Sequence, residues 1–135
     1  MKTWKAGGIP YYLDEEGKLN LLLVTSTNPM FGGPHPSIAK GQPDKGENFS
    51  QTAFREMHEE TGVQSSDIAS SKFLGTVKNR SYILYVMAYR LYTKVEPIPN
   101  WEAVGHWYTV AEAREVIRQD HRIMVPLLEE AVKSL

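Results

Sequence analysis

Two strand-like segments that are apolar on both faces constrain the fold of this chain most. The first segment is Leu21–Val24, an uninterrupted apolar run. The second is residues 82–92, which form the second arm of what resembles a hairpin with residues 72–79, with its turn near Asn79. One face of the second arm carries Tyr82, Leu84, Val86 and Ala88, and the other carries Ile83, Tyr85, Met87 and Tyr89. Such a strand needs a covering layer on each side, because neither face is suited to water. The sequence therefore predicts central strands in a sheet that is covered on both faces.

Three segments have signals for helices that are apolar on one face. Gly62 follows the first segment and suits the position just beyond a helix end. Thr109-x-x-Glu112 has the form of a capping box that opens the second. In the third, apolar residues recur at helical spacing, and Pro126 lies in the first turn, where proline is tolerated. We predict helices at residues 48–61, 109–118 and 124–135, and hence an α/β fold with the sheet between helices.

The start of the chain predicts a strand at Ala6–Leu13, broken by Gly7, Gly8 and Pro10. A chain of 135 residues is long enough to bury a core without disulfides. No internal repeat or change of composition marks a boundary along it. We therefore expect residues 1–135 to form a single domain.

The composition excludes several classes of protein. The absence of cysteine excludes disulfides, zinc–thiolate sites and cysteine nucleophiles. The formal net charge of −1 makes a DNA duplex an unexpected partner, whereas a small phosphorylated ligand is compatible with it. No run approaches the roughly 18 apolar residues of a membrane span, and no secretion signal precedes the first strand. A cytoplasmic protein that does not enter membranes is expected.

One helix carries a group of carboxylates on one side. At about 100° per residue, Glu56, Glu59 and Glu60 fall within one sector of the first predicted helix. Carboxylate oxygens are the ligands that Mg²⁺ or Mn²⁺ accepts. Arg55 can reach Glu59 one turn on, or Glu47 across the preceding loop, and so hold a carboxylate without binding metal. On their own, three glutamates on a helix are more often a solvated face, so the spacing of the whole segment decides between the two interpretations.

The spacing of residues 41–63 is specific. It reads glycine, five residues, Glu47, seven residues, Arg-Glu, aliphatic, any residue, Glu-Glu, any residue, Gly62 and an aliphatic residue. This segment resembles the Nudix box at every defining position, with Met57 and Val63 in the aliphatic slots. The resemblance to Nudix hydrolases implies an α/β/α sandwich with a mixed sheet, and the box as a loop-helix-loop beside that sheet.

The resemblance also implies a chemistry. Nudix hydrolases use water to cut a phosphoanhydride in a nucleoside diphosphate linked to another group. A divalent cation, Mg²⁺ or Mn²⁺, activates the water and offsets charge in the transition state. By resemblance, the metal ligands are Glu56, Glu59, Glu60 and the backbone carbonyl of Lys40, with Glu102 a further candidate. The catalytic residues by resemblance are Glu56, Glu59, Arg55 and Glu47, with Glu56 the first choice and Glu59 the second for accepting the proton.

Flanking residues resemble two subgroups, the diadenosine polyphosphate hydrolases and the diphosphoinositol polyphosphate phosphohydrolases. Those enzymes commonly read Trp-x-x-Pro-Lys-Gly before the box, whereas this chain keeps only the final Lys-Gly of that motif in residues 36–41. The resemblance implies a dinucleoside polyphosphate such as diadenosine tetraphosphate as the leading substrate. The candidate substrate-binding residues are Lys40, Gly41, Lys78, Arg80 and Tyr82, and Trp4 or Trp101 could stack a base.

Three other functions compete with this one. The first is hydrolysis of free or oxidised nucleoside triphosphates or of nucleotide sugars, and a capped RNA 5′ end is a weaker substrate. The last is a nucleotide-binding module without turnover, which the complete set of box residues disfavours. Specificity is expected in residues 28–38 and 95–105. Residues 28–36 carry two glycines and three prolines and are therefore predicted to be a loop.

Overall fold

The computed structural model describes residues 3–27 and 35–133, and its centre is a mixed sheet. Within these residues the strands are β1 (Thr3–Leu13), β2 (Leu19–Ser26), β3 (Ala39–Gly41), β4 (Ile68–Lys78), β5 (Tyr82–Leu91) and β6 (Ala103–Thr109). The strand order is β4-β5-β1-β2-β6, and β3 pairs with β1 beside β2. β1 and β5 run parallel, and the other described pairs are antiparallel. β5 is therefore a central strand, as predicted.

Helices cover both faces of the sheet. They are α1 (Phe49–Thr61), α2 (Val110–Val116) and α3 (Met124–Lys133), with short 3₁₀ turns at Ser65–Asp67 and Gln119–His121. β2 shows the two layers most clearly. Leu22 and Val24 pack in the cluster that contains Met57 of α1, whereas Leu21 and Leu23 pack with Leu128 of α3. The prediction of a sheet between helices is confirmed. Each fully buried leucine of this strand contributes roughly 1.5–3 kcal/mol.

The expected break in the first strand is wrong, because β1 is continuous from Thr3 to Leu13. A side chain at Gly7 would overlap the β3 backbone, and one at Gly8 would overlap the ring of Tyr89. These glycines therefore allow close packing and do not end the strand. Pro10 lies between the residues of β1 that pair with β3 and those that pair with β2, where the ladder on that side is already interrupted.

The other element boundaries differ from prediction by a few residues. The hairpin is confirmed, but β4 begins at Ile68, because its pairing with β5 continues to Leu91. The second helix ends at Val116. The predicted loop at residues 28–36 lies outside the described residues except for 35 and 36, and so does the end of the third helix beyond residue 133. No helix in the described part of the chain is long and apolar enough to span a bilayer.

Candidate active site

The two ends of α1 are fixed by their own sequence. The Asn48 side chain accepts a hydrogen bond from the Gln51 amide at 2.9 Å, and the Gln51 side chain accepts one from the Asn48 amide at 2.9 Å. At the other end, Gly62 adopts φ = 80° and its amide donates to the His58 carbonyl at 2.8 Å. The helix therefore extends over the predicted residues, with Met57 fully buried against the sheet.

Arg55 lies at the centre of the polar groups beside this helix. Its Nε and Nη2 donate to the two carboxylate oxygens of Glu47 at 2.9 and 3.0 Å. Nη2 also donates to the Gln42 carbonyl at 2.9 Å. Nη1 donates to Glu56 at 2.9 Å and reaches Glu59 at 3.4 Å. The prediction that Arg55 reaches Glu47 or Glu59 is confirmed, since it reaches both. One guanidinium thus joins the loop before α1 to two carboxylates on the helix.

Glu47 is held in its ionised form. Besides Arg55, the Asp44 amide at 2.7 Å and the Thr52 hydroxyl at 2.9 Å donate to Glu47 Oε1. The hydrogen bonds from Arg55 are the main reason why its pKa is lowered to about 2, and those from Asp44 and Thr52 add to the effect. Both carboxylate oxygens of Glu47 accept hydrogen bonds from protein donors, so this side chain is suited to holding Arg55 in place.

Glu56 lies directly against the backbone of Gly41. A Cβ atom built on Gly41 would come closer than 3.0 Å to the carboxyl group of Glu56. Burial raises the pKa of Glu56, Arg55 opposes this, and the charges of Glu59 and Glu102 raise it further. The glycine that opens the box therefore makes room for a carboxylate, which is a structural reason for its position in the motif.

Glu60 is the most strongly perturbed acid of the site. Its Oε2 is buried and has no hydrogen-bond partner among the described residues. The Lys40 amide of β3 donates to the side chain, yet burial and the neighbouring Glu56 raise its pKa to about 8. Burying a carboxylate oxygen without a hydrogen bond, beside other negative charges, costs free energy, and a bound cation would offset that cost.

Glu59 differs from its two neighbours because its side chain is 52% exposed. The structure brings Glu56 and Glu60 close enough to repel each other, with Glu59 and Glu102 at the edge of the group. In the described part of the chain, no three acidic or histidine side chains converge with the spacing of a formed metal site. Arg55 holds Glu56, so closing such a site requires carboxylate side chains to turn toward a shared point.

The donor set nevertheless suits a hard divalent cation. It consists of carboxylate oxygens and backbone carbonyls, without sulfur or imidazole, which matches the preference of Mg²⁺ and Mn²⁺. Glu60 offers an oxygen that lacks a hydrogen-bond partner in the described part of the chain, and Gly41 leaves the space in which Glu56 lies. The residues present therefore fit such an ion.

A cleft of about 460 Å³ opens beside these carboxylates. Among its described lining are Lys40, Gly41, Glu60, Trp101 and Glu102. Its volume is in the range of small-molecule sites, roughly 300–1,000 Å³. Three larger or similar cavities among the described residues do not contain the α1 glutamates in their lining; they lie at residues 35 and 115–122, at residues 14–20 and 109–133, and at residues 13, 69–70 and 90–92. The cleft at Glu60 is therefore the candidate site.

The candidate substrate-binding residues divide into two groups. Lys40 and Gly41 line the cleft. Burial and the nearby Arg118 lower the pKa of Lys40, while Glu60 opposes them. Lys78 and Arg80 are exposed at the β4–β5 turn, and Tyr82 is buried with Lys5 Nζ 4.4 Å from its ring centroid. The structure does not bring Lys78, Arg80 or Tyr82 into the described cleft lining.

One site residue has no signal in the sequence beyond a turn. The Asn100 side chain accepts from the amides of Glu102 and Ala103 at 2.7 Å and donates to the Glu59 carbonyl near the end of α1. Asn100 thereby ties the loop that carries Glu102 to the carboxylate helix. Asparagine before a strand indicates a turn, but its partner 41 residues away could not be read from one sequence.

Comparison with known proteins agrees with this geometry. Residues 3–128 match the family model of the NUDIX domain. No curated protein is significantly similar in sequence.

Among solved structures, a C. elegans Ap4A hydrolase in a binary complex has a TM-score of 0.80 at 18% identity, covering 98% of this chain and 99% of that chain. The Nudix hydrolase RenU of M. smegmatis has a TM-score of 0.79 at 15% identity, covering 99% and 88%. The NUDIX domain of Shewanella oneidensis NrtR, solved with ADP ribose, has a TM-score of 0.76 at 16% identity, covering 98% and 89%. At these identities the likeness shows the fold alone.

Proposed function

The chain belongs to the NUDIX domain family, and on that premise we propose that it is a metal-dependent pyrophosphohydrolase. The observation that carries the proposal is that Glu56 and Glu60 lie near enough for their charges to interact, with Glu56 against the Gly41 backbone of β3 and Glu60 in the lining of the cleft. Catalytic sites are where acids with perturbed pKa values and unpaired oxygens collect. A binding module that holds no metal ion has no need for this unfavourable arrangement.

Mg²⁺ or Mn²⁺ is the proposed cofactor, and the proposed ligands are Glu56, Glu59, Glu60 and the backbone carbonyl of Lys40, with Glu102 a further one. When bound, such an ion lowers the pKa of water and stabilises charge on phosphate oxygens. Glu102 lies near enough to raise the pKa of both Glu56 and Glu60, and its exposure leaves it free to turn.

Proton transfer and the orientation of the carboxylates are assigned to residues of the chain itself. Glu56 is the proposed acceptor of the proton from the attacking water, because burial raises its pKa and makes it a better base than an exposed carboxylate. Arg55 keeps that carboxylate oriented through its 2.9 Å hydrogen bond. Glu47 in turn fixes Arg55 through two hydrogen bonds. Glu59, which Arg55 also reaches, is the second choice for the proton.

The proposed substrate is a dinucleoside polyphosphate such as diadenosine tetraphosphate. Lys40 and Gly41 at the cleft support it, because a lysine side chain and a glycine backbone both suit phosphate. The Lys-Gly pair before the box and the fold of a C. elegans Ap4A hydrolase support it as well. We propose contacts with Lys78, Arg80 and Tyr82 only for a long polyphosphate that extends beyond the described cleft.

A second candidate is a hydrolase of nucleoside triphosphates or of nucleoside diphosphates linked to a sugar. The observation that favours it is the size of the cleft, about 460 Å³, which suits one nucleotide better than two. The likeness of fold to a NUDIX domain solved with ADP ribose is compatible with the same substrate class.

Product analysis tests both candidates. The purified protein is incubated with Mg²⁺, with Mn²⁺ or with EDTA, and products are identified by ion-exchange chromatography. The panel contains diadenosine tetraphosphate, ATP, dGTP, ADP-ribose and a diphosphoinositol phosphate. Metal-dependent formation of ATP and AMP from diadenosine tetraphosphate supports the leading proposal, and release of pyrophosphate from a triphosphate supports the second. Absence of turnover with every member and either metal would contradict the proposed hydrolase activity on these substrates.

A further inference from the structure

Trp101 is an exposed tryptophan at the cleft. The residue is 78% exposed, the largest value among the exposed large hydrophobic residues in the described part of the chain. Trp107 donates a hydrogen bond to the Val95 carbonyl at 2.9 Å and packs edge-on against Tyr12. Trp4 packs edge-on against Tyr85. The described residues give Trp101 no ring partner, so its indole face is open.

The backbone beneath this indole is fixed on both sides. The Thr27 hydroxyl donates to the Trp101 carbonyl, and the Thr27 amide donates to the Glu102 carbonyl at 2.9 Å. On the other side, Asn100 donates to the Glu59 carbonyl of α1 and accepts from the Glu102 amide at 2.7 Å. An apolar ring presented on an anchored loop loses little conformational freedom when a ligand covers it.

The cleft joins this ring to the charged groups of the site. Lys40, Gly41 and Glu60 lie in the same lining as Trp101. A nucleotide combines a phosphate with a flat aromatic base, and the cleft offers polar groups together with one flat aromatic surface. Stacking between a base and an aromatic side chain needs only an open face and therefore tolerates different bases.

We propose that Trp101 is a substrate-binding residue, the platform on which the base of the substrate nucleotide stacks while its phosphates lie toward Lys40 and Glu60. This rests on the proposed function, because it presumes a nucleotide in the cleft. The proposal also decides which of the two tryptophans offered by the sequence, Trp4 or Trp101, stacks the base. Trp4 is half-buried against Tyr85 and is absent from the described lining.

The test compares two probes that contain no phosphoanhydride and therefore cannot be hydrolysed at one. AMP carries the base and one phosphate, and ribose 5-phosphate carries the same phosphate without the base. Their dissociation constants are measured by calorimetry in Mg²⁺ for the wild type, Trp101→Ala and Trp101→Phe. Trp4→Phe is the matched control, and thermal unfolding confirms that each variant is folded.

We expect Trp101→Ala to weaken AMP binding about tenfold, while Trp101→Phe keeps most of the affinity. Affinity for ribose 5-phosphate is expected to stay at the wild-type value in all variants. AMP should also change the tryptophan fluorescence of Trp4→Phe but much less that of Trp101→Phe.

Two results overturn the stacking role without touching the proposed activity. One is wild-type AMP affinity in Trp101→Ala. The other is an equal loss for AMP and ribose 5-phosphate, which would indicate a structural role for the side chain. If the wild type neither binds AMP nor turns over any nucleotide of the panel, the proposed function fails and the stacking role fails with it.

Discussion

Arg55 holds Glu47 with two parallel hydrogen bonds, from Nε at 2.9 Å and from Nη2 at 3.0 Å. The same guanidinium donates to Glu56 at 2.9 Å. A planar fork with several donors can do this, whereas an ammonium group is a single point charge. The relationship explains why the motif places an arginine directly before its first helical glutamate.

Arg55→Lys should therefore lower kcat by about ten- to a hundredfold with little change in thermal stability. Lysine keeps the charge but cannot bind Glu47 at two points and orient Glu56 at the same time. The exposed pair of Arg114 with Glu129 offers a matched control, Arg114→Lys. Steady-state kinetics and thermal unfolding measure the two effects. Equal kcat values for Arg55→Lys and the control would show that bidentate geometry is not needed.

Gly41→Ala should displace the Glu56 carboxyl group, because the added Cβ atom would lie closer than 3.0 Å to it. Mn²⁺ affinity, measured by electron paramagnetic resonance of the free ion, is expected to fall about tenfold or more. Gln42→Ala changes the next, exposed side chain and leaves the carbonyl that Arg55 uses. Wild-type Mn²⁺ affinity in Gly41→Ala would remove Glu56 from the ligand set.

Metal binding should release a proton from Glu60. Burial raises its pKa to about 8, so the metal-free group is mostly protonated at neutral pH and must ionise to bind a cation. Metal affinity should therefore rise between pH 6 and pH 8. Calorimetry in buffers of different ionisation enthalpy measures the released proton, which Glu60→Gln should abolish. Glu47→Gln should still release it, because the pKa of Glu47 is about 2 and that group carries no proton at pH 7.

His121 should make the protein less stable in acid. It is fully buried, its Nδ1 accepts from the Ile38 amide at 3.2 Å, and burial lowers its pKa from 6.5 to about 4. Asp120 opposes this shift, and Lys40 and Arg118 reinforce it. Below pH 6.5 this histidine is protonated in the unfolded chain, whereas in the folded protein it stays neutral until about pH 4. The part of the free energy of unfolding that is present above pH 6.5 is therefore lost over this interval.

The loss should reach about 3 kcal/mol by pH 4. The comparison is with His121→Asn, in which the amide oxygen can accept from Ile38 without titrating. Urea unfolding at pH 7.5 and pH 4.5 gives the free energy of unfolding of both proteins. The wild type should lose more stability than the variant, and parallel losses would mean that His121 does not titrate abnormally.

Local sequence signals predicted the helices and strands, whereas long-range contacts determine the geometry of the site. The caps of α1 and the alternation of β5 lie within a few residues of one another, so one sequence contains them. Helical period placed Glu59 and Glu60 in one sector but could not show that Glu60 carries a buried oxygen while Glu59 is half exposed. That difference arises because the backbone of β3, about 20 residues earlier, lies beside Glu60.

The same reason applies to β1 and to the loop before β6. Gly7 and Gly8 signal a break when neighbours are unknown, yet β3 and Tyr89 pack against them. Asn100 signals only a turn, and its bond to Glu59 depends on how the sheet closes over α1. Hydrophobic alternation and caps are local, whereas these contacts follow from strand order.

The most direct test of the proposed chemistry is kcat for Glu60→Gln at saturating Mg²⁺, on whichever nucleotide of the panel the wild type hydrolyses best. Glutamine keeps the shape of the side chain and removes its charge, and Glu130→Gln at an exposed position of α3 is the control. If Glu60 binds the catalytic metal, kcat falls by at least about a hundredfold while the folded structure and the control's activity are retained. Wild-type turnover in Glu60→Gln would contradict a role for this carboxylate in metal-dependent hydrolysis.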